Sequence, residues 1–192
     1  MQKYSQPDFF KFGHDSLELV QFISQKREKS DLTFLEIGTG CGIIAIELAL
    51  KFPEIVIDAL EPLPEFHPFI KENIETFGVS NLNLIPSRFE DYSCLINKKY
   101  DVIYFNPPYF WELESRASPN PLRDHCRRMK KEMFFLWIKR IEKILTSRGK
   151  VFLSYRSHDI DKKIKRSNIW EIKNSSKNNG SFLLFLQKNY EL

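Results

Sequence analysis

Three glycines, Gly38, Gly40 and Gly42, stand between a compact apolar run at residues 32–37 and a largely apolar stretch of helical length, Ile43–Lys51. A strand that turns on glycines straight into a helix is the opening unit of an open α/β sheet. Ligands of such sheets bind beyond the carboxyl ends of the strands, and glycine lets the backbone approach them closely. The spacing here is GxGxG. Ile43 occupies the place of the third glycine of a dinucleotide fingerprint, and no Lys-Ser/Thr pair follows as in a phosphate-binding loop. The turn therefore suits a nucleotide ligand without phosphates. Glu61 ends the next strand about 20 residues on, where a carboxylate can accept from both ribose hydroxyls.

Strands and helices alternate along the rest of the chain. Further strands are predicted at residues 55–60, Leu82–Ile85, Tyr100–Phe105 and 151–155. A helix over residues 65–77 spaces Phe66, Ile70, Ile74 and Phe77 at helical intervals, and Gly78 supplies its stop. A longer helix buries Met133, Phe134, Trp137, Ile138, Ile141 and Leu145, with Arg148-Gly149 ending it. Asp15-x-x-Glu18 reads as a capping box opening a helix through about Lys26. A short basic helix is expected over residues 159–166, carrying Lys162, Lys163, Lys165 and Arg166 as a solvated face. Strands at 170–173 and 182–187 follow, joined through Asn179-Gly180 as a hairpin. The fold class is thus α/β: a mostly parallel seven-stranded sheet, helices on both faces and an antiparallel edge hairpin. No linker or repeat divides the chain, so one domain is expected, with residues 1–30 as a cap and first helix and residues 31–192 as a Rossmann-like core.

Bulk properties exclude more than they assign. The net charge of +4 permits a nucleic-acid partner without arguing for one. Cys41, Cys94 and Cys126 are widely spaced and odd in number, which reads as reduced thiols rather than a disulfide framework or a zinc site. The N-terminus lacks the layout of a signal peptide, and no apolar run approaches the roughly 20 residues that span a bilayer. A cytoplasmic monomer without metal or membrane attachment is expected.

Asn106-Pro107-Pro108-Tyr109 directly follows the strand that ends at Phe105. Two prolines fix the backbone and remove two N–H donors, leaving carbonyls free to face a ligand. Asn106 adds a side-chain carbonyl, and Tyr109 a flat face for stacking. Acceptors from Asn106 and the Pro107 carbonyl suit an NH2 group whose lone pair is delocalised. Accepting both of its N–H bonds favours a pyramidal nitrogen and localises that lone pair for attack. No strong base is required, so positioning and electrostatics carry the catalysis.

With both motifs in this order, the chain resembles class I S-adenosylmethionine-dependent methyltransferases, in the amino-methylating branch that carries (D/N)PP(Y/F). Within that branch it is similar to bacterial tRNA (adenine-N6)-methyltransferases acting beside the anticodon of valine tRNA. The likeness rests on Phe12-Gly13-His14-Asp15-Ser16-Leu17, on Ile37 to Ile43, and on Asn106-Pro107-Pro108-Tyr109-Phe110. The resemblance implies S-adenosylmethionine as cofactor, held by Glu36, Gly38, Thr39, Gly40 and Glu61, with Asn106, Pro107 and Tyr109 as the catalytic set. Arg88 stands where the branch usually has an acid near the cofactor adenine, and Glu90 is the substitute.

The stretch from Arg116 to Lys131 is read as a polar loop, in which Arg116, Arg123, Arg127, Arg128, Lys130 and Lys131 face Asp124 alone. It follows the catalytic tyrosine, so Arg116, Arg123 and Arg127 are candidate phosphate contacts and Phe110 a base contact. His125 and Cys126 are read as loop residues without a role. Trp111 either stacks on a base or anchors the loop, and Phe9, Phe10 and Phe12 either cover the site or pack in the core. Adenine-N6 methylation of tRNA is the leading function. The alternatives are glutamine methylation of a release factor, adenine methylation of rRNA or DNA, and a non-catalytic scaffold. The glutamine methyltransferases normally carry an extra N-terminal helical domain, for which the residues before the first strand are too few.

Overall fold

The computed structural model describes residues 3–155, 160, 164, 170–178 and 181–188. In chain order the main strands are β1 (Thr33–Ile37), β2 (Val56–Leu60), β3 (Leu82–Ile85) and β4 (Tyr100–Phe105). A two-stranded ribbon of β5 (Phe110–Trp111) and β6 (Arg128–Met129) comes next, then β7 (Leu145–Tyr155), β8 (Trp170–Asn178) and β9 (Ser181–Lys188). Seven of these form one sheet in the order β3-β2-β1-β4-β7-β9-β8. The first five in that order are parallel, and β9 runs antiparallel between β7 and β8. Residues 179–180, the expected hairpin turn, lie outside the described residues. So does most of the expected basic helix at 159–166, including its four cations, although Ile160 and Ile164 are buried in the core.

Alternation along the strands divides the interior into two cores. Phe34, Ile57, Ala59, Val102 and Tyr104 meet α1 (His14–Lys26) and α2 (Ile43–Lys51) on one face. Their neighbours Leu35, Ile37, Leu60, Ile103 and Phe105 meet α4 (Phe89–Leu95) and α6 (Lys131–Ile144) on the other. Burial on both faces explains why these strands read as nearly continuous apolar runs. On α6, Phe134, Ile138, Ile141 and Ile144 recur at helical spacing and are buried. α3 (His67–Phe77), entered through a 3₁₀ turn at Pro64–Phe66, stops at Gly78 in the left-handed conformation (φ 66°), as its sequence predicts.

Register decides what meets at the carboxyl end of the sheet. Ile37 pairs with Leu60 on one side and with Phe105 on the other, and Phe105 pairs with Leu153. The next residue of each strand therefore stands in one row, in which Glu61, Gly38 and Asn106 leave the sheet and Ser154 stays in β7 opposite Leu183 of β9. Strand order reverses between β1 and β4, which opens a crevice at that point.

Several boundaries differ from expectation. α6 ends at Ile144 and the chain enters β7 at once, with a register irregularity opposite Tyr100–Val102 that accommodates Arg148-Gly149 within the strand rather than at a helix end. The segment after β3 forms α4, and the expected polar loop contains α5 (Pro121–Arg127). Asn120 caps α5 by accepting from Arg123 N at 3.0 Å, with Pro121 beginning the helix. Asp15 is not a cap. The N-cap of α1 is Gly13, no side chain caps it, and the Asp15 carboxylate points elsewhere.

Candidate active site

The glycine turn is shaped by the neighbouring strand end. Gly38 N and Thr39 N both donate to Leu60 O, at 3.0 and 2.9 Å, and Gly40 N donates to Glu61 Oε2 at 2.7 Å. Gly38 sits at φ 74° with nothing within 4 Å of where a Cβ would project, so its backbone faces open space. Gly42 at φ 86° begins α2, and a Cβ there would come within 2.8 Å of Ile70 Cγ1. Side chains are thus excluded at Gly42 by backbone and by packing together.

Glu61 is buried, and its other oxygen accepts from Leu63 N at 2.9 Å. Burial pushes its pKa up, against the pull of those two backbone donors. Glu36 is more extreme. Burial raises it to about 8, although the Thr39 hydroxyl (2.6 Å) and Tyr104 hydroxyl (3.5 Å) donate to its Oε2. Among the described residues no lysine or arginine pairs with either acid.

The cleft over this row has two lobes that share Gly38, Gly40, Asn106, Pro107 and Pro108. One, of about 350 Å³, extends over Glu61, Leu63, Phe66, Glu90 and Trp137. The other, of about 440 Å³, reaches Asp15, Glu36, Thr39, Tyr109, Phe110 and Arg123. The cofactor candidates are therefore divided, with Glu61 and Glu90 in the first lobe and Glu36 and Thr39 in the second. Glu90 Oε1 accepts from Trp137 Nε1 at 2.6 Å, which fixes its carboxylate at the wall of the first lobe. Arg88 lines the same lobe. The first lobe fits S-adenosylmethionine: it offers an open backbone at Gly38, a buried carboxylate at Glu61, and the apolar walls of Leu63 and Phe66.

Asn106 belongs to a ring of polar side chains. Its Nδ2 donates to Asp15 Oδ2 at 2.6 Å, and the Tyr109 hydroxyl donates to the same oxygen at 2.5 Å. The Ser154 hydroxyl donates to Asn106 Oδ1 and lies 3.0 Å from the Tyr109 oxygen. Sequence reasoning missed both Asp15 and Ser154 here. Asp15 was already explained as a cap, and Ser154 lay within an apolar strand with nothing to mark it.

The basic segment forms one wall of the site. Arg128 pairs with Asp124 at 3.4 Å and donates to Glu112 O at 2.9 Å, and Lys131 pairs with Glu114 at 3.3 Å. Arg127 lies 5.2 Å above the half-exposed Phe110 ring. Arg116, Arg123 and Arg127 meet beside Phe110 in a further hollow of about 560 Å³, and among the described residues no carboxylate pairs with them. Trp111 is buried against Phe134 and anchors the segment. His125 and Cys126 lie on α5 and line the first lobe rather than a loop, and burial pushes the Cys126 thiol up to about 12. Phe9, Phe10 and Phe12 pack partly buried against the first core, while Phe10 also lines both lobes. Among the described residues no helix is long and apolar enough to cross a membrane, and no cluster of three metal-ligating side chains occurs.

The sheet order and the crevice at the β1/β4 reversal define the Rossmann-like fold of class I methyltransferases. The family described as GidB, rRNA small subunit methyltransferase G, matches residues 11–106, half of the chain, and the chain belongs to this family of S-adenosylmethionine-dependent methyltransferases. The tRNA1(Val) (adenine(37)-N6)-methyltransferase of Pedobacter heparinus is 31% identical over 133 residues, covering 69% of this chain and 54% of that protein. The release factor glutamine methyltransferase of Streptococcus pneumoniae is 34% identical over 106 residues, covering 55% of this chain and 37% of that protein. The chain thus spans about half, or less, of the length of these curated relatives. Among solved structures, the ribosomal protein L11 methylase of Lactobacillus delbrueckii subsp. bulgaricus superimposes with a TM-score of 0.71 at 17% identity, covering 94% of this chain and 81% of that one.

Proposed function

We propose that the chain transfers a methyl group from S-adenosylmethionine to the exocyclic N6 amine of an adenine in tRNA, acting as a cytoplasmic monomer. The observation that carries this reading is the row Glu61, Gly38, Asn106, where a nucleoside-binding strand end and an amine-binding loop leave the sheet side by side. When bound, S-adenosylmethionine supplies an electrophilic methyl group. Glu61 would accept from its ribose hydroxyls, Gly38 and Gly40 would admit it against the backbone, and Glu36 and Thr39 would line the side of the site toward the second lobe. Glu90, held by Trp137 at the wall of the first lobe, would face the cofactor's adenine.

Asn106 Oδ1 and the Pro107 carbonyl accept from the target amine, and the two prolines keep competing N–H donors away from it. Tyr109 and Phe110 offer rings to an unstacked base, the usual way single-stranded RNA is recognised. Arg116, Arg123 and Arg127 line the hollow beside Phe110, where they would meet phosphates flanking the target base. The match to the adenine-N6 relative extends over more of the chain than the match to the glutamine methyltransferase, and these three arginines favour an anionic substrate.

The test is transfer from methyl-labelled S-adenosylmethionine to unmodified tRNA, rRNA, duplex DNA and a release factor in parallel. Label recovered as N6-methyladenosine from tRNA is expected. Label on the release factor instead would establish the glutamine reading, and label nowhere would leave a non-catalytic scaffold.

A further inference from the structure

We propose that Asp15 is a positioning residue for methyl transfer, setting which end of the Asn106 amide meets the substrate. The inference rests on the transfer reading above and adds a residue to it. An amide side chain presents nearly the same shape either way round, and only its partners decide which end is oxygen. A carboxylate oxygen accepts and never donates. Asp15 Oδ2, 2.6 Å from the amide, therefore demands the NH2 end and turns Oδ1 away from itself. The other neighbours cannot make that choice. Ser16 Oγ, 3.5 Å from Nδ2, and Ser154 Oγ, against Oδ1, are hydroxyls that serve as donor or acceptor alike.

The consequence is chemical. Oδ1 has two lone pairs; Ser154 takes one and the other remains for the target amine. A flipped Asn106 would set its own NH2 against the substrate NH2, donor against donor. The same Asp15 oxygen accepts from the Tyr109 hydroxyl, so one carboxylate aligns both the acceptor and the stacking ring.

Gly13 supports the assignment independently. Its backbone is extended (φ −99°, ψ 177°), a conformation open to any residue, so its lack of a side chain is not conformational. A Cβ there would stand 2.2 Å from Asp15 Oδ1. Glycine leaves room for the carboxylate to swing across the start of α1 to Asn106.

The test combines side-chain amide NMR with kinetics. The Asn106 NH2 signals are assigned by their loss in Asn106→Asp, then followed in Asp15→Ala, Asp15→Asn and Gly13→Ala. In the wild type one Asn106 proton should resonate downfield and exchange slowly, and both features should vanish in Asp15→Ala and Gly13→Ala. With tRNA as substrate, kcat should fall about 100-fold in Asp15→Ala. The KM for S-adenosylmethionine should change by less than about threefold. Asp15→Asn, whose oxygen can still accept, should recover part of the loss. An unchanged Asn106 signal in Asp15→Ala, or a kcat within about threefold of wild type, overturns the proposal. If the wild-type protein labels no substrate, the transfer reading fails, yet the Asn106 signal still decides whether Asp15 orients that amide.

Discussion

The two ends of the sheet handle buried acids in opposite ways. At the amino end, Asp31 precedes β1 and receives Lys150 Nζ at 2.9 Å on both oxygens, with Glu28 adding a contact at 3.3 Å. Asp101 nearby accepts from Leu32 N, Thr33 N and the Thr33 hydroxyl. Charge is answered there by charge or by several donors. At the carboxyl end, the buried Glu36 and Glu61 and the half-buried Asp15 meet, among the described residues, hydrogen-bond donors and no lysine or arginine. The first arrangement is closed and holds strands together. The second leaves acids that a hydroxyl-bearing, positively charged ligand would complete, which is how one sheet separates stability from function.

Breaking the amino end should cost most. Lys150→Met strands a buried carboxylate and should lose about 3–5 kcal/mol of unfolding free energy in urea titration. A loss below about 1 kcal/mol would mean that water or Glu28 substitutes for the pair and that the end is not closed. At the other end, Asn106→Ala should reduce transfer by about 10²–10³-fold while unfolding free energy and cofactor affinity stay near wild type. Equal losses of affinity and rate would erase the separation between the lobes. Glu61→Ala should weaken cofactor binding by roughly 10–100-fold in calorimetry, the worth of hydrogen bonds to a charged group.

A smaller effect concerns Glu36, whose folded pKa of about 8 lies above its ordinary value because it is buried. The folded chain then holds a proton that the unfolded chain has released, so stability should fall as pH rises from the ordinary glutamate range toward about 8. Glu36→Gln should flatten that slope in thermal melts at both pH limits, and an unaltered slope would assign it to Glu61 or another group. Smallest is the salt response. Each of Arg123→Gln and Arg127→Gln should lower the slope of log affinity for RNA against log salt by roughly 0.7–0.9. A flat response in the wild type would move the substrate from RNA to protein.

Much of this was legible in the residues. The glycine turn, Glu61 and the Asn106 loop announce themselves because each departs from what an apolar strand or helix requires of its neighbours. The helices α2 and α3 were readable from their apolar spacing and from the stop at Gly78. What failed to show was short or doubly explained. α4 and α5 span seven residues each, too few for a period to emerge. α6 ran past its end on paper because Leu145 continues the apolar stripe, whereas the pairing of Leu145 with Tyr100 draws it into β7. Asp15 fitted a capping box, so a reach toward the cofactor was set aside and a contact with Asn106 was not foreseen.

The chain alone determined the strand–glycine–helix opening, the acid after β2 and the acceptor-rich loop after β4, because local dihedral needs and apolar periodicity are written residue by residue. Only the tertiary structure decided that Asp15, Asn106, Tyr109 and Ser154 form one ring, since partners 45 to 94 residues apart meet through strand register and the docking of α1. Sequence periodicity carries no information about register between distant strands. Hydrogen-bond donors and acceptors acquire their partners only after that register is set.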